Sequence, residues 1–277
     1  MQFVQGVLIV GSTITSPTER MIARKEGAIG WMIFNNPERH NAVSTDMWQA
    51  VPIILDAFEA DPEIRSIVLT GAGEKSFVAG ADISQFEEAR SSPEKVREYE
   101  DISTAAFDRI ASCRLPTIAM IDGYCIGGGL GIALACDLRF ASETSTFGIP
   151  AAKLGLAYPL SSTKRLVDVV GPSSAKEIFF TARRFTHSEA LGMGLINRVT
   201  PGAELDTFVR ATCAQVDDNA PLTVQNEKKI IDEIVREADS FDAKACFRLI
   251  TECFGSADYA EGRAAFMEKR KPAFKGK

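Results

Sequence analysis

The stretches Ala79-Gly80-Ala81-Asp82 and Gly127-Gly128-Gly129 decide the reading of this chain. Each follows an apolar run, Ser66 to Thr70 in one case and Thr117 to Ile121 in the other, and each precedes a segment of helical character. Small residues at such junctions let a ligand approach bare backbone, and the first N–H groups of a helix have no partner within it. Two such donors, brought together by a fold, would form an oxyanion hole. The glycine run has two readings. It permits close helix packing, or it starts a helix at Gly128 whose N–H and dipole face a developing negative charge.

Outward from these stretches, the sequence reads as an α/β core followed by a helical region. Ile22 to Lys25 and Ala28 to Phe34 flank Glu26-Gly27 as a hairpin. Ser44 to Ala60 carries Met47, Val51, Ile54, Leu55 and Phe58 at helical spacing, with Ser44 or Thr45 as N-cap. Ile67 to Thr70, Thr117 to Ile121 and Leu138 to Ala141 read as strands. Pro93 toward Cys113, Gly128 to Cys136, Arg165 to Val170 and Ser174 to Thr181 read as helices. After Pro201 three helical segments follow, Ala203 to Asn219, Pro221 to Ala238 and Phe241 to Phe254. The expected division is an extension over 1–21, a core over 22–200 and a helical region over 201–277.

The 277 residues are 45% hydrophobic and 25% charged, the balance of a soluble globular chain. The net charge of −6 argues against a general nucleic-acid binder. With two histidines, His40 and His187, and no C-x-x-C pair, no metal is expected, and the segment Gly127 to Cys136 holds no serine to act as a nucleophile. The six cysteines form no C-x-x-C pair and read as reduced core residues of a cytoplasmic protein. The N-terminus lacks a basic leader, no stretch reaches 18 apolar residues, and no membrane association is expected. Gly71-Ala72-Gly73-Glu74-Lys75-Ser76 resembles a phosphate-binding loop only at first sight, because the required glycines fall on Leu69 and Glu74.

Longer motifs carry a resemblance. Ser76 to Ile83, Leu115 to Ala119, Asp122 to Leu130, Ala135-Cys136-Asp137, Thr146 to Pro150, Thr186 to Ala190, Gly194 to Val199 and Glu268 to Lys271 together resemble the enoyl-CoA hydratase/isomerase (crotonase) superfamily, from about Met21 to Lys277. The resemblance implies a spiral of ββα units with a C-terminal helical trimerisation region, assembled as a homotrimer or a dimer of trimers. It implies an acyl-CoA ligand whose carbonyl lies between the N–H groups of Ala81 and Gly128, with coenzyme A as part of the substrate and no separate cofactor. Asn41, Ala42, Ala79, Gly80, Asp82, Ile83 and Gly127 would line the coenzyme A passage, and Lys269 matches a position that contacts its phosphate. Asp82 also reads as a cap for the following helix.

Departures from the family pattern bear on the reaction. The two glutamates that hydratases of the family place around a water match Gly131 and Ala151, and a dehalogenase aspartate matches Pro159. A glycine and an alanine cannot act as general acid or base. Glu87 and Glu88 are candidates for a displaced acid. Tyr158, in Leu154-Gly155-Leu156-Ala157-Tyr158, matches a loop of methylmalonyl-CoA decarboxylases and reads either as a catalytic or substrate-orienting residue or as a packed tyrosine. Three functions follow: a lyase of this family with non-standard acid/base groups, a decarboxylase of a malonyl-type CoA ester, or a catalytically silent acyl-CoA-binding protein.

Overall fold

The computed structural model describes residues 3–4, 7–8, 12–82, 93–155, 158–235 and 242–277. A small pairing of β1 (Phe3–Val4) with β2 (Val7–Leu8) precedes the main body. The hairpin is β4 (Met21–Glu26) and β5 (Ile29–Phe34). Residues 12–14, which the sequence places in an extension, form β3 (Ser12–Ile14) and add an antiparallel edge to β4.

From β5 onward the large sheet is parallel, through β6 (Ser66–Gly71), β8 (Thr117–Ile121), β10 (Leu138–Ser142) and β13 (Arg198–Thr200), in the order β13-β10-β8-β6-β5-β4-β3. A smaller sheet holds β7 (Ser76–Val78), β9 (Tyr124–Ile126), β11 (Thr146–Gly148) and β12 (Phe185–Thr186), in the order β12-β11-β9-β7. The chain alternates between them. β6, β8 and β10 each lead within a few residues into β7, β9 and β11, and this repetition is the spiral of ββα units.

The central strands are apolar without alternation because both faces of the large sheet are covered. On one face Met32, Ile67, Leu69 and Ala119 join Phe34, Phe58, Phe77 and Phe147 in the main core. On the other, Trp31, Val68, Ile118 and Phe140 pack with Leu205, Val209 and Cys213 of α6 (Gly202–Asp217). The main core also takes in buried residues of α1 (Thr45–Ala60), α2 (Pro93–Ala111), α3 (Gly128–Ala135), α4 (Leu160–Thr181) and α5 (His187–Gly192). The two helices expected around 165–181 are the two halves of α4, separated by a kink at Gly171, whose φ of 74° is not helical. α7 (Pro221–Ile234), α8 (Ala243–Gly255) and α9 (Ala257–Glu268) complete the chain. The last of these has no apolar stripe for sequence periodicity to find. Lys228 of α7 ties this region to the core through Asp137 at 2.8 Å, and Asp137 also accepts from the Thr117 N–H and hydroxyl. Among the described residues no helix is long and apolar enough to cross a membrane.

Glu59, near the end of α1, gathers the junction of α1, α2 and β8. Its burial raises the carboxyl, but hydrogen bonds from the Arg114 N–H, the Cys113 thiol and the Arg109 guanidinium outweigh that and hold it below the usual glutamate value. Such a group contributes stability that is complete above its unfolded pKa of about 4.3 and is lost as pH falls through the lower folded value. Glu59→Gln is expected to lower unfolding free energy at neutral pH by about 1–3 kcal/mol. In urea titrations the gap to the unaltered protein should close below about pH 4.

Candidate active site

Three loops leave the C-terminal ends of β7, β9 and β11, which are neighbours and mutually parallel. The register sets Val78 opposite Cys125 and Gly148 opposite Ile126, so Ala81, Gly128 and Ala151 all emerge along one edge of the small sheet. This is the edge of a parallel sheet at which ligands are ordinarily bound.

The first two loops touch. A Cβ on Gly128 would stand 3.7 Å from the Ala81 nitrogen, and one on Gly127 would stand 3.8 Å from the Gly80 Cα. Gly127 has a φ of +56°, which turns the chain out of β9 and into α3. At Gly129 a Cβ would fall 2.0 Å from the Val78 carbonyl oxygen, so only glycine lets α3 settle on β7. Val43 donates to the Gly80 carbonyl at 2.8 Å and accepts from the Asp82 N–H at 2.9 Å. These bonds turn the peptide groups on either side of Ala81 toward Val43, which leaves the Ala81 N–H on the opposite side, facing Gly128. Neither the Ala81 N–H nor the Gly128 N–H donates to an acceptor among the described residues. Gly128 is the first residue of α3, where the helix dipole adds partial positive charge.

The loop over 39–43 is bonded to this cradle. The Ala79 N–H donates to the His40 carbonyl at 3.0 Å, and Arg39 pairs with buried Asp82 at 3.1 Å. Asn41, with a φ of +57°, is fully buried. Its side chain accepts from the Asn36 N–H and donates to the Ala72 and Ser76 carbonyls. The Asn41 side chain therefore holds loops together, and the half-buried Ala42 beside it presents the surface of this turn. Asp82 pairs with Arg39, and the segment it is expected to cap lies outside the described residues.

One wall is aromatic. Trp48 of α1 lies 3.4 Å from where a Gly128 Cβ would stand. It donates through Nε1 to the Tyr99 hydroxyl at 3.0 Å and meets the Phe107 ring edge-on. Tyr158 reaches the other side. Its hydroxyl lies 3.8 Å from a Gly127 Cβ position, its ring packs on Phe179, and burial raises its pKa, so the phenol stays protonated. Gly131 and Ala151 are both buried. Trp48, Tyr99 and Phe107 were not singled out in the sequence. Helical spacing marks such positions as core, and nothing local links them to a glycine run far along the chain.

Ile83, Glu87 and Glu88 lie outside the described residues. Lys269 follows α9 with a φ of 55°. It is exposed beyond α9, and its neighbours Arg270 and Lys271 pair with Glu261, Glu268 and Asp218. His40 bonds through Nδ1 to the Ser76 hydroxyl at 3.1 Å, and His187 opens α5 behind the Thr186–Glu189 capping box. Cys113, Cys125, Cys136 and Cys213 are buried free thiols, and burial pushes Cys113 up to about 12. No cluster of metal-binding side chains occurs among the described residues. Cavities of about 780 and 900 Å³ flank α7 and Phe274, and neither is lined by Ala81 or Gly128.

Known proteins are similar to this chain in sequence and fold. The family model described as enoyl-CoA hydratase/isomerase matches residues 24–277. A short-chain-enoyl-CoA hydratase of Clostridium acetobutylicum is 35% identical over 91% of this chain and 95% of its own length. A peroxisomal Delta(3,5)-Delta(2,4)-dienoyl-CoA isomerase of Arabidopsis thaliana is 33% identical over 90% and 93%. The crystal structure of an enoyl-CoA hydratase/carnithine racemase from Magnetospirillum magneticum superposes with a TM-score of 0.90 at 32% identity, over 95% of this chain and 97% of that one. The chain belongs to the enoyl-CoA hydratase/isomerase family, within the crotonase superfamily.

Replacing Asn41 by alanine leaves one N–H and two carbonyls without their partner and keeps a left-handed backbone that alanine disfavours. Asn41→Ala is expected to cost about 3 kcal/mol in denaturant unfolding.

Proposed function

We propose that this chain is an acyl-CoA enzyme that holds a thioester carbonyl between the N–H groups of Ala81 and Gly128 and stabilises the enolate formed from it. The observation that supports this is the convergence of two backbone donors, each without a partner among the described residues, from loops that leave adjacent parallel strands. Charge moves onto the thioester oxygen as the α-carbon gives up a substituent, and fixed donors meet it without reorganising. Ala42, Ala79, Gly80, Gly127 and the backbone at Asn41 and Asp82 line the coenzyme A passage. Coenzyme A enters as part of the substrate, and no further cofactor is proposed.

Gly131 and Ala151 carry no acid or base, so the enzyme acts as a lyase of its family with other acid/base groups. The position of Tyr158 favours a specific reaction, decarboxylation of a malonyl-type CoA ester. The bond from the α-carbon to the carboxylate carbon breaks, its electron pair enters the thioester as an enolate, carbon dioxide leaves and a proton taken up from solvent adds to the α-carbon. No base is needed. The protonated Tyr158 phenol supplies a hydrogen bond at the acyl group.

Mass analysis of a pool of crotonyl-CoA, methylmalonyl-CoA and ethylmalonyl-CoA tests both levels. Loss of carbon dioxide from a malonyl ester, reduced at least tenfold by Tyr158→Phe, is the expected outcome. Gain of water on crotonyl-CoA would replace the decarboxylase reading with hydration by an acid outside positions 131 and 151. Binding with no turnover would leave an acyl-CoA-binding protein, and no binding by calorimetry would end the acyl-CoA reading.

The assembly we propose is a homotrimer or a dimer of trimers. Ile231, Ile234, Phe247 and Phe254 stand exposed on α7 and α8, an apolar surface that a partner subunit would cover. Sedimentation at micromolar concentration should give a trimer or hexamer, and a lone monomer would refute this.

A further inference from the structure

Gly131 follows Gly128 by one turn of α3, so both face the same side of the helix. A Cβ on Gly131 would stand 2.9 Å from Cζ and 3.0 Å from Cε1 of the Phe107 ring, well inside carbon–carbon contact. The ring is 7% exposed and meets Trp48 edge-on with centroids 5.1 Å apart. Trp48 in turn backs Gly128 and is tied to Tyr99. Phe107 lies on α2 in the same buried core as Ala106, Ile110 and Trp48, and its ring meets Trp48 of α1.

We infer that Phe107 is a specificity-determining residue. Its ring occupies the volume through which a side chain at 131 would reach the cradle. It keeps a carboxylate, and the water that a carboxylate would hold, away from the acyl group. This deepens the proposed function and rests on the reading of Ala81 and Gly128 as the acyl cradle. Hydration of an enoyl thioester adds hydroxide to the β-carbon and a proton to the α-carbon, and it needs a water and a base on that face. The ring stands in place of both. An enolate formed by loss of carbon dioxide needs no base and no water held at the β-carbon, only a proton from solvent for the α-carbon, and an apolar wall on this face suits its formation. The glycine at 131 and the phenylalanine at 107 therefore belong together, and restoring a glutamate at 131 alone forces it against the ring.

Two measurements test this. Melting temperatures of Phe107→Ala, Gly131→Ala and the double variant form a packing cycle. Each single variant should melt lower than the unaltered protein, and the double variant should melt higher than the sum of the two shifts predicts. Hydration of crotonyl-CoA is then compared between Gly131→Glu/Ala151→Glu and the triple variant that adds Phe107→Ala. The triple variant should hydrate at least tenfold faster. Additive melting shifts, or equal hydration in the two variants, including none in either, would overturn the inference. Failure of the unaltered protein to bind any acyl-CoA would remove the specificity role together with the proposed function, whereas the melting cycle would still show whether ring and residue 131 compete for one space.

Discussion

The approach of α3 to β7 sets everything else in this molecule. At Gly129 the Val78 carbonyl oxygen lies where a side chain would begin, 2.0 Å from a Cβ position. That closeness is possible because β7 and β9 pair in parallel, so the chain leaves both strands in the same direction and at the same level. Gly127 then turns abruptly, and Gly128 meets Ala81 across a gap of a few ångströms. A side chain at 129 would move the helix, and with it the donor at its first turn. The cradle is thus a product of backbone spacing rather than of any reactive side chain.

A cradle of peptide groups has particular electrostatics. Its donors are neutral, so burial carries no charge-desolvation cost of the kind that ions suffer. They are oriented by hydrogen bonds made on their other side, through Val43 for Ala81 and through the helix for Gly128. Around them the wall is aromatic, with Trp48, Tyr99 and Phe107 on one side and Tyr158 on the other. The charged residues at this edge, Arg39 and Asp82, are paired with each other. Under the proposed function, negative charge developing between the two N–H groups would meet fixed dipoles in apolar surroundings, where such dipoles act most strongly.

The local elements were legible and the long-range partnerships were not. The glycine run and the small residues around Ala81 stand out in the sequence because each follows an apolar run and precedes a segment of helical character. The helices with apolar stripes, α1 and α2, were visible for the same local reason. α9 was not, because its apolar residues make no stripe, and β3 was absorbed into an extension because three residues are too few to show alternation. The aromatic wall was hidden for a different reason. Trp48, Phe107 and Gly131 lie on three helices, and their contact depends on how the sheets stack those helices. Likewise Asn41 reads from sequence as a residue lining a passage, whereas its side chain is committed to three backbone groups.

The spiral has a kinetic consequence. Neighbouring strands of the large sheet are far apart in sequence, as the bond from Thr70 to the Met120 carbonyl shows across 50 positions. No hairpin supplies these pairings, so each requires closure of a long loop before any reward in burial, and folding governed by such steps is slow. The half-formed chain would meanwhile display Val, Ile and Leu edges that invite pairing with other chains. For this architecture, the hazardous period is the time spent folding, and a newly made chain gains safety only when the later strands close over the earlier ones.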